Sequence, residues 1–152
     1  MKIIVLGGDG FCGWASSLRL ANRGHEVFIF DNLSRRKIDL ELKTKSLTPI
    51  KSIYKRVETW NKLNKKKIKF FKIDVAKEFV RLEKLIKKIG PDTIVHFAEQ
   101  RSAPYSMISL KTRNYTLNNN IITNNNILYL IAKLKKKIHL IHLGTMEVYV
   151  YY

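Results

Sequence analysis

Seven residues near the start, Gly7-Gly8-Asp9-Gly10-Phe11-Cys12-Gly13, have the composition of a loop that cradles phosphate. Glycines turn a chain tightly and let backbone amides approach a pyrophosphate, whose charge then rests at the N-terminus of the next helix. The run satisfies two spacings at once, Gly8-x-Gly10-x-x-Gly13 and Gly7-x-x-Gly10-x-x-Gly13. Taken alone, it equally suits a glycine turn that holds no ligand. Asp31 follows, eighteen positions after Gly13. An acidic side chain near that position accepts hydrogen bonds from the adenosine ribose of a dinucleotide. Its charge repels a 2′-phosphate, which favours NAD over NADP, whereas Arg35 and Arg36 close by can receive one. Outside that context, Asp31 reads as a turn residue of Asp31-Asn32-Leu33.

These residues need elements that hold them in place. Lys2-Ile3-Ile4-Val5-Leu6, apolar and rich in β-branched residues, reads as a buried strand before the loop. Phe11, Trp14, Ala15, Leu18 and Ala21 recur at helical spacing, with Asn22 and Gly24 closing that helix. Glu26 to Phe30 reads as a second strand ending in Asp31. The segment Asn32 to Thr48 is polar with little periodicity, and a connection of that length is usually functional or has structure of its own. Pro49 is placed to start a helix, with Ile50, Ile53, Tyr54, Val57 and Trp60 along one face. Ile68 to Ile73 is a third strand, ending at Asp74-Val75. Phe79, Leu82, Leu85, Ile86 and Ile89 form the cleanest amphipathic stripe in the chain, stopped by Gly90-Pro91. Thr93 to Phe97 is a fourth strand, and Ala98 to Met107 a loop. A long helix from Asn114 to Leu134 uses Leu117, Ile121, Leu128 and Ile131 as its apolar face, despite asparagine triplets that form helix poorly. Ile138 to Leu143 is a fifth strand, followed by Gly144-Thr145-Met146.

Strands alternating with helices predict an α/β, Rossmann-like doubly wound parallel sheet of about five strands in the order 3-2-1-4-5. Residues 1–152 then form one nucleotide-binding domain. Its ligand lies across the carboxyl ends of strands one and four. Five short segments meet at that edge: the glycine loop, Asp31-Asn32, Asp74-Val75, Phe97-Ala98-Glu99 and Leu143-Gly144-Thr145. Asp74 suits a hydrogen bond from the adenine amino group, or an N-cap for the helix after it.

Composition bounds the function classes. The 152 residues are 45% hydrophobic and contain no run of eighteen apolar residues, so no membrane span is expected. Met1 leads directly into the first strand, which leaves no room for a targeting peptide. The single cysteine, Cys12, excludes an internal disulfide and suits a reducing compartment; inside the glycine loop it serves as a small side chain. His25, His96, His139 and His142 lack metal-ligand spacing with Cys or acidic partners, so no metal site is expected. Trp14 and Trp60 read as packing residues. The net charge of +17 would let the surface bind nucleic acid. Its lysines are spread over helix faces and ends, however, as in Lys65-Lys66-Lys67, Lys87-Lys88 and Lys135-Lys136-Lys137. Most of the charge therefore reads as solvated surface. A non-catalytic basic binding module is the alternative from another class.

Four stretches carry a family resemblance: Gly7 to Trp14, Asp31-Asn32-Leu33 with Arg35-Arg36, Ser46 to Ile50, and Glu99-Gln100-Arg101-Ser102-Ala103-Pro104-Tyr105-Ser106-Met107. They resemble the UDP-sulfoquinovose synthases, a branch of the extended short-chain dehydrogenase/reductase family that also holds NAD-dependent sugar-nucleotide epimerases and dehydratases. The likeness runs from the first strand to about Met146, and the nonapeptide from Glu99 is its specific part. A fragment of another epimerase or dehydratase is the second reading within the fold.

The resemblance implies an enzyme that makes UDP-sulfoquinovose from UDP-glucose and sulfite, with NAD recycled in the site, for a sulfolipid headgroup. It implies that Gly7, Gly10, Phe11, Cys12, Gly13, Asp31, Asn32, Leu33, Arg35, Asp74 and Val75 contact the cofactor. Arg101 is shared between cofactor and substrate, as a guanidinium for phosphate or sulfonate oxygens or as a loop anchor. Asn119 or Asn120 is the family asparagine near the cofactor. Thr145, four positions before Tyr149, is the catalytic hydroxyl that contacts the substrate. Without the family, Thr145 is an ordinary capping residue. A cytoplasm or a plastid stroma is the implied compartment, with a homodimer or a complementing C-terminal chain as partner.

Two departures qualify the likeness. The long helix carries Thr123 where the family has a Gly-Thr pair, which predicts looser packing under the cofactor. Glu147, Val148 and Val150 replace family glycines. Tyr149, Tyr151 and Tyr152 are followed by no lysine, whereas the family's general base is a Tyr-x-x-x-Lys tyrosine. The last strands and the substrate domain are expected to be missing, and no synthase activity is expected from these 152 residues alone.

Overall fold

The computed structural model describes residues 1–144. Five parallel strands form one sheet in the order β3-β2-β1-β4-β5. They are β1 (Lys2–Leu6), β2 (Glu26–Asp31), β3 (Ile68–Lys72), β4 (Thr93–His96) and β5 (His139–His142). Six helices connect them: α1 (Phe11–Asn22), α2 (Ser34–Glu41), α3 (Ile53–Leu63), α4 (Phe79–Ile89), α5 (Ala103–Met107) and α6 (Leu110–Lys133).

The near-continuous apolar runs of β1 and β2 follow from burial on both faces, since successive side chains point to opposite sides of a strand. Ile3, Val5, Val27 and Ile29 face α1 and α3, where Ala21, Ile53, Trp14 and Leu18 meet them. Ile4, Leu6, Phe28, Phe30 and Ile94 face α4 and α6, packing with Leu82, Ile86, Ile127 and Leu130. The strand order expected from alternation is the one observed. It opens a crevice at the carboxyl edge, where the crossovers from β1 and β4 leave in opposite directions.

The segment from Asn32 to Thr48 has structure of its own, as its length suggests: it contains α2, which has no buried residue and therefore no apolar stripe to betray it. Three other local expectations are corrected. Pro49 does not start a helix. Ser52 caps α3 three residues later, its side chain accepting the Lys55 N–H, and Ile50 and Tyr54 are exposed. The loop from Ala98 to Met107 ends in the short helix α5, with Ser102 as its cap.

The long helix turns a different face inward. Leu117, Ile121 and Leu128 are exposed, while Thr123, Asn126, Ile127 and Leu130 are buried. That inward face is a second apolar stripe, Ile127, Leu130 and Ile131, beside a satisfied amide. Asn126 Nδ2 donates to Val75 O at 2.8 Å and Ala76 O at 3.3 Å, tying α6 to the β3–α4 connection. Ile131 alone of the expected stripe packs against the core. Among the described residues, no helix is long and apolar enough to cross a membrane.

Candidate functional site

A cavity of about 1000 Å³ opens along the carboxyl edge of the sheet. The glycine loop forms one wall and Asp31, Asn32, Ser34 and Arg35 the next. His96 to Arg101 cross its middle, and Asn119, Asn120 and Thr123 on α6 line the far side with His142 to Gly144.

The glycine loop is held by contacts that leave no space for side chains. Gly7 donates its N–H to Phe30 O at 2.8 Å and has φ +77°, a left-handed conformation that favours glycine. A Cβ on Gly7 would lie 2.7 Å from the Phe97 carbonyl, and one on Gly13 would lie 2.2 Å from Gly7 O. These glycines let the loop pack backbone to backbone against β4 and against itself. Phe11 begins α1 and is 77% exposed, and Cys12 beside it is also exposed; both line the cavity.

At the tip of β2 the Asp31 carboxylate organises the neighbouring backbone. Oδ2 accepts the Asp9 N–H at 2.9 Å and Oδ1 the Leu33 N–H at 2.7 Å. Burial pushes the Asp31 carboxyl above its ordinary value, opposed by those two N–H groups; the Asp9 carboxylate nearby adds to the rise. Leu33 itself adopts φ 60° at the start of α2 and packs against the core instead of lining the cavity. Asn32 Oδ1 accepts the Ser34 N–H at 2.9 Å, and its Nδ2 donates to Asp74 Oδ2 at 3.2 Å. Asp74 stands behind the wall, its other oxygen capping the turn at Ala76 and Lys77, while Val75 reaches the cavity. Helix α4 starts later, with Glu78 at its N-cap position.

The asparagine-rich helix has a purpose that helix propensity hides. Asn120 Oδ1 accepts the Gln100 N–H at 2.9 Å, and Asn120 Nδ2 donates to Gln100 O at 3.0 Å. Asn119 Nδ2 reaches Ala98 O at 3.5 Å and Asn120 Oδ1 at 3.0 Å. Asn124 Nδ2 donates to Glu99 Oε1 at 2.9 Å. Together these amides pin the loop that presents Arg101 to the cavity. Thr123 is 1% exposed and sits in the cavity wall. Thr145 and the tyrosines Tyr149, Tyr151 and Tyr152 lie outside the described residues.

Sequence reasoning overlooked two features. Asp9, a non-glycine position of the glycine loop, is 4% exposed and bonded to Arg36 and Arg56. The sequence signal was there: an acid in a loop that otherwise needs small side chains. A Tyr-x-x-x-Lys spacing also occurs at Tyr129–Lys133 within α6. Tyr129 packs on Phe79 and Lys133 binds Glu83 at 2.9 Å, and neither lines the cavity. Spacing without placement carries no chemistry.

His96, in a strand and so expected as a core or edge histidine, is buried at the end of β4; its Nδ1 accepts the Ala98 N–H at 3.1 Å, and its ring centroid is 5.1 Å from that of His142. His142 Nε2 lies 3.1 Å from Glu99 Oε1. Burial lowers the His96 pKa to about 4, with Glu99 opposing the shift and His142 adding to it. The folded state resists a proton that the unfolded chain accepts near the ordinary value of 6.5. Between those values the unfolded state binds more protons, so stability is present above about 6.5 and falls as pH drops towards 4. The full window is worth up to about 3 kcal/mol. Urea unfolding across that range is expected to show the decline, and His96→Gln to flatten it. An unchanged slope in the variant refutes the assignment. Among the described residues, no group of three or more His, Cys, Asp or Glu residues is arranged to hold a metal ion.

A parallel sheet with a glycine turn after its first strand and a carboxylate at the end of its second defines a dinucleotide-binding α/β domain. The chain belongs to the NAD dependent epimerase/dehydratase family, whose model matches residues 3–150. It is 45% identical over 148 residues to the chloroplastic UDP-sulfoquinovose synthase of Spinacia oleracea, covering 97% of this chain and 30% of that protein. It is 40% identical over 149 residues to the UDP-sulfoquinovose synthase of Sulfolobus acidocaldarius, covering 98% of this chain and 38% of that protein. The chain thus spans about a third of the length of these relatives.

Among solved structures, UDP-glucose-4-epimerase from Stenotrophomonas maltophila, with bound NAD and formylated UDP-arabinopyranose, superposes with a TM-score of 0.74 at 22% identity. That match covers 97% of this chain and 38% of the epimerase. The dTDP-glucose 4,6-dehydratase of Bacillus anthracis, in complex with NAD, gives 0.68 at 22% identity over 97% of this chain and 38% of the dehydratase. At that identity the likeness concerns the fold.

Proposed function

We propose that this chain is the NAD-binding portion of a UDP-sulfoquinovose synthase. The observation that carries the reading is the cavity edge, where the glycine turn and the Asp31 carboxylate bonded to it line one space of about 1000 Å³. That edge fits a dinucleotide. The amides of Gly7 to Gly13 and the start of α1 receive the pyrophosphate. Asp31 accepts the ribose hydroxyls, Arg35 lies on the same wall, and Val75 borders the adenine. NAD, when bound, supplies reversible removal of hydride from the sugar at C4.

The chain's own residues position that chemistry. Asn119, Asn120 and Asn124 fix the 98–101 loop, so that Arg101 is offered to the phosphate or sulfonate oxygens of a UDP-sugar. Thr145 is the hydroxyl proposed to contact the substrate. UDP-glucose and sulfite are the proposed substrates and sulfolipid synthesis the proposed role, supported by the two synthase relatives. The compartment proposed is a cytoplasm or a plastid stroma. A homodimer belongs to the same proposal, and the exposed α6 stripe of Leu117, Ile121 and Leu128 is the face it would cover.

The test is thermal unfolding of the 152-residue chain with and without NAD. At a hundredfold excess over Kd, binding adds about 2.7 kcal/mol, a rise in Tm of about 5–10 °C. No shift with NAD, together with salt-sensitive retention on DNA, would favour the basic binding module instead. The 152 residues alone are expected to turn over no UDP-glucose with sulfite; measurable product would overturn that part.

A further inference from the structure

Arginines near the tip of β2 pose a problem for a site that prefers NAD, because a guanidinium there is what a 2′-phosphate seeks. Arg35 lines the cavity. Arg36, one residue further along α2, is held by the glycine loop. Its Nε donates to Asp9 Oδ2 at 2.7 Å and its Nη2 to Asp9 O at 3.3 Å. Arg56, arriving from α3, bonds the other carboxylate oxygen, Oδ1, and also Asp9 O at 3.4 Å. Arg56 is fixed in turn by Lys51 O at 3.1 Å and by stacking 4.5 Å over the Trp14 ring.

Asp9 is therefore a buried acid, its side chain 3% exposed, with one guanidinium on each oxygen. Its backbone N–H is bonded to Asp31, so the two acids and two arginines lie together beside the ribose wall, with Asp39 3.9 Å from Arg36. Nothing in a phosphate-cradling turn requires a carboxylate at this position. An anion placed there works against a bound pyrophosphate, unless its charge is spent elsewhere.

Resting on the nucleotide reading above, we propose that Asp9 is a specificity-determining residue. It binds Arg36 on the far side of the loop and withholds that guanidinium from a 2′-phosphate, with Arg56 and Trp14 as the backing that keeps Asp9 in place. Asp31 then repels the 2′-phosphate from one side, while Asp9 removes the cation that would welcome it from the other. A substitution at Asp9 acts on selectivity through Arg36, without touching the ribose acceptor.

Calorimetric titration of the full 152-residue chain with NAD and with NADP tests this. In Asp9→Asn, which keeps the side-chain volume and removes the charge that holds Arg36, the ratio of NADP to NAD affinity is expected to rise tenfold or more. Arg36→Met is expected to leave the wild-type ratio unchanged, because the guanidinium is already engaged. In the double variant the gain should vanish. An unchanged ratio in Asp9→Asn, with both dinucleotides still bound, overturns the proposal. So does a several-fold selective loss of NADP in Arg36→Met, and this arm decides the matter if Asp9→Asn fails to fold. A wild-type chain that binds neither dinucleotide overturns the nucleotide reading itself, a result distinct from both.

Discussion

Gly13→Ala is expected to destabilise the chain by about 3 kcal/mol or more and to remove nucleotide binding with it. The added Cβ would lie 2.2 Å from Gly7 O, 2.8 Å from Gly8 Cα and 2.9 Å from Gly7 C. All three are backbone atoms, so no flexible side chain can move aside. Gly7 cannot retreat either. Its N–H is bonded to Phe30 O at 2.8 Å, and its φ of +77° belongs to the turn that this bond closes. Relief has to come from lifting α1 away from the loop, which opens the packing of Ser17 and Ala21, both buried on that helix. For a domain of this size the loss corresponds to a fall in Tm of about 6–12 °C. Cys12→Ala, at an exposed position in the same turn, is the control and should stay within about 0.5 kcal/mol. Thermal denaturation of both variants decides; a Gly13→Ala chain as stable as the control would mean that the loop is not held as described.

Asp31→Asn should separate binding from folding. The carboxylate is proposed to hold the ribose hydroxyls, and hydrogen bonds to a charged acceptor contribute about 1.5–3 kcal/mol each. Losing the charge should therefore weaken NAD about 10- to 100-fold by calorimetry. Folding responds differently. Burial raises the Asp31 pKa, so the ionised form is disfavoured in the folded state and its contribution to stability falls as pH rises through that raised value. A neutral amide escapes that cost while giving up one of the bonds to Asp9 N–H and Leu33 N–H. The two effects oppose each other, and the Tm without ligand should move little. A variant that binds NAD as tightly as the original would remove Asp31 from the site. The contrast with Asp9→Asn is direct: one change loses NAD, the other gains NADP.

The residues that were legible in the sequence are those whose role is set by local backbone requirements. Gly7, Gly10 and Gly13 are marked by the turn they must make, and Asp31 by its distance along the chain from that turn. Strands β1, β2 and β4 announce themselves because both faces are buried and apolar side chains run without interruption. Helix α4 shows its stripe because its packing is purely apolar, with Leu82, Ile86 and Ile89 all buried. Helix α2 was invisible for the opposite reason. Ionic contacts of Arg36 hold it, and ionic contacts have no period.

Helix α6 shows most clearly where local reasoning stops. Its leucines and isoleucines offer two candidate inward faces, and the fold uses the one with Ile127, Leu130 and Ile131, where Asn126 finds two backbone carbonyls and Asn120 finds the Gln100 peptide. Those partners lie 20 to 51 residues away along the chain. Likewise the Tyr129–Lys133 spacing has the form of a catalytic pair, yet three-dimensional placement gives it to a surface contact with Glu83 and Phe79.

The sequence by itself determined that this chain is a doubly wound parallel domain with a phosphate-cradling turn and an acid at its second strand, because turn glycines and buried strands obey near-neighbour sterics and hydrophobic burial. Only the tertiary structure decided which face of α6 turns inward, that its asparagines carry the 98–101 loop, and that Asp9 takes Arg36 and Arg56 as partners. Hydrogen bonds and ion pairs between distant residues need both partners placed before either can be read.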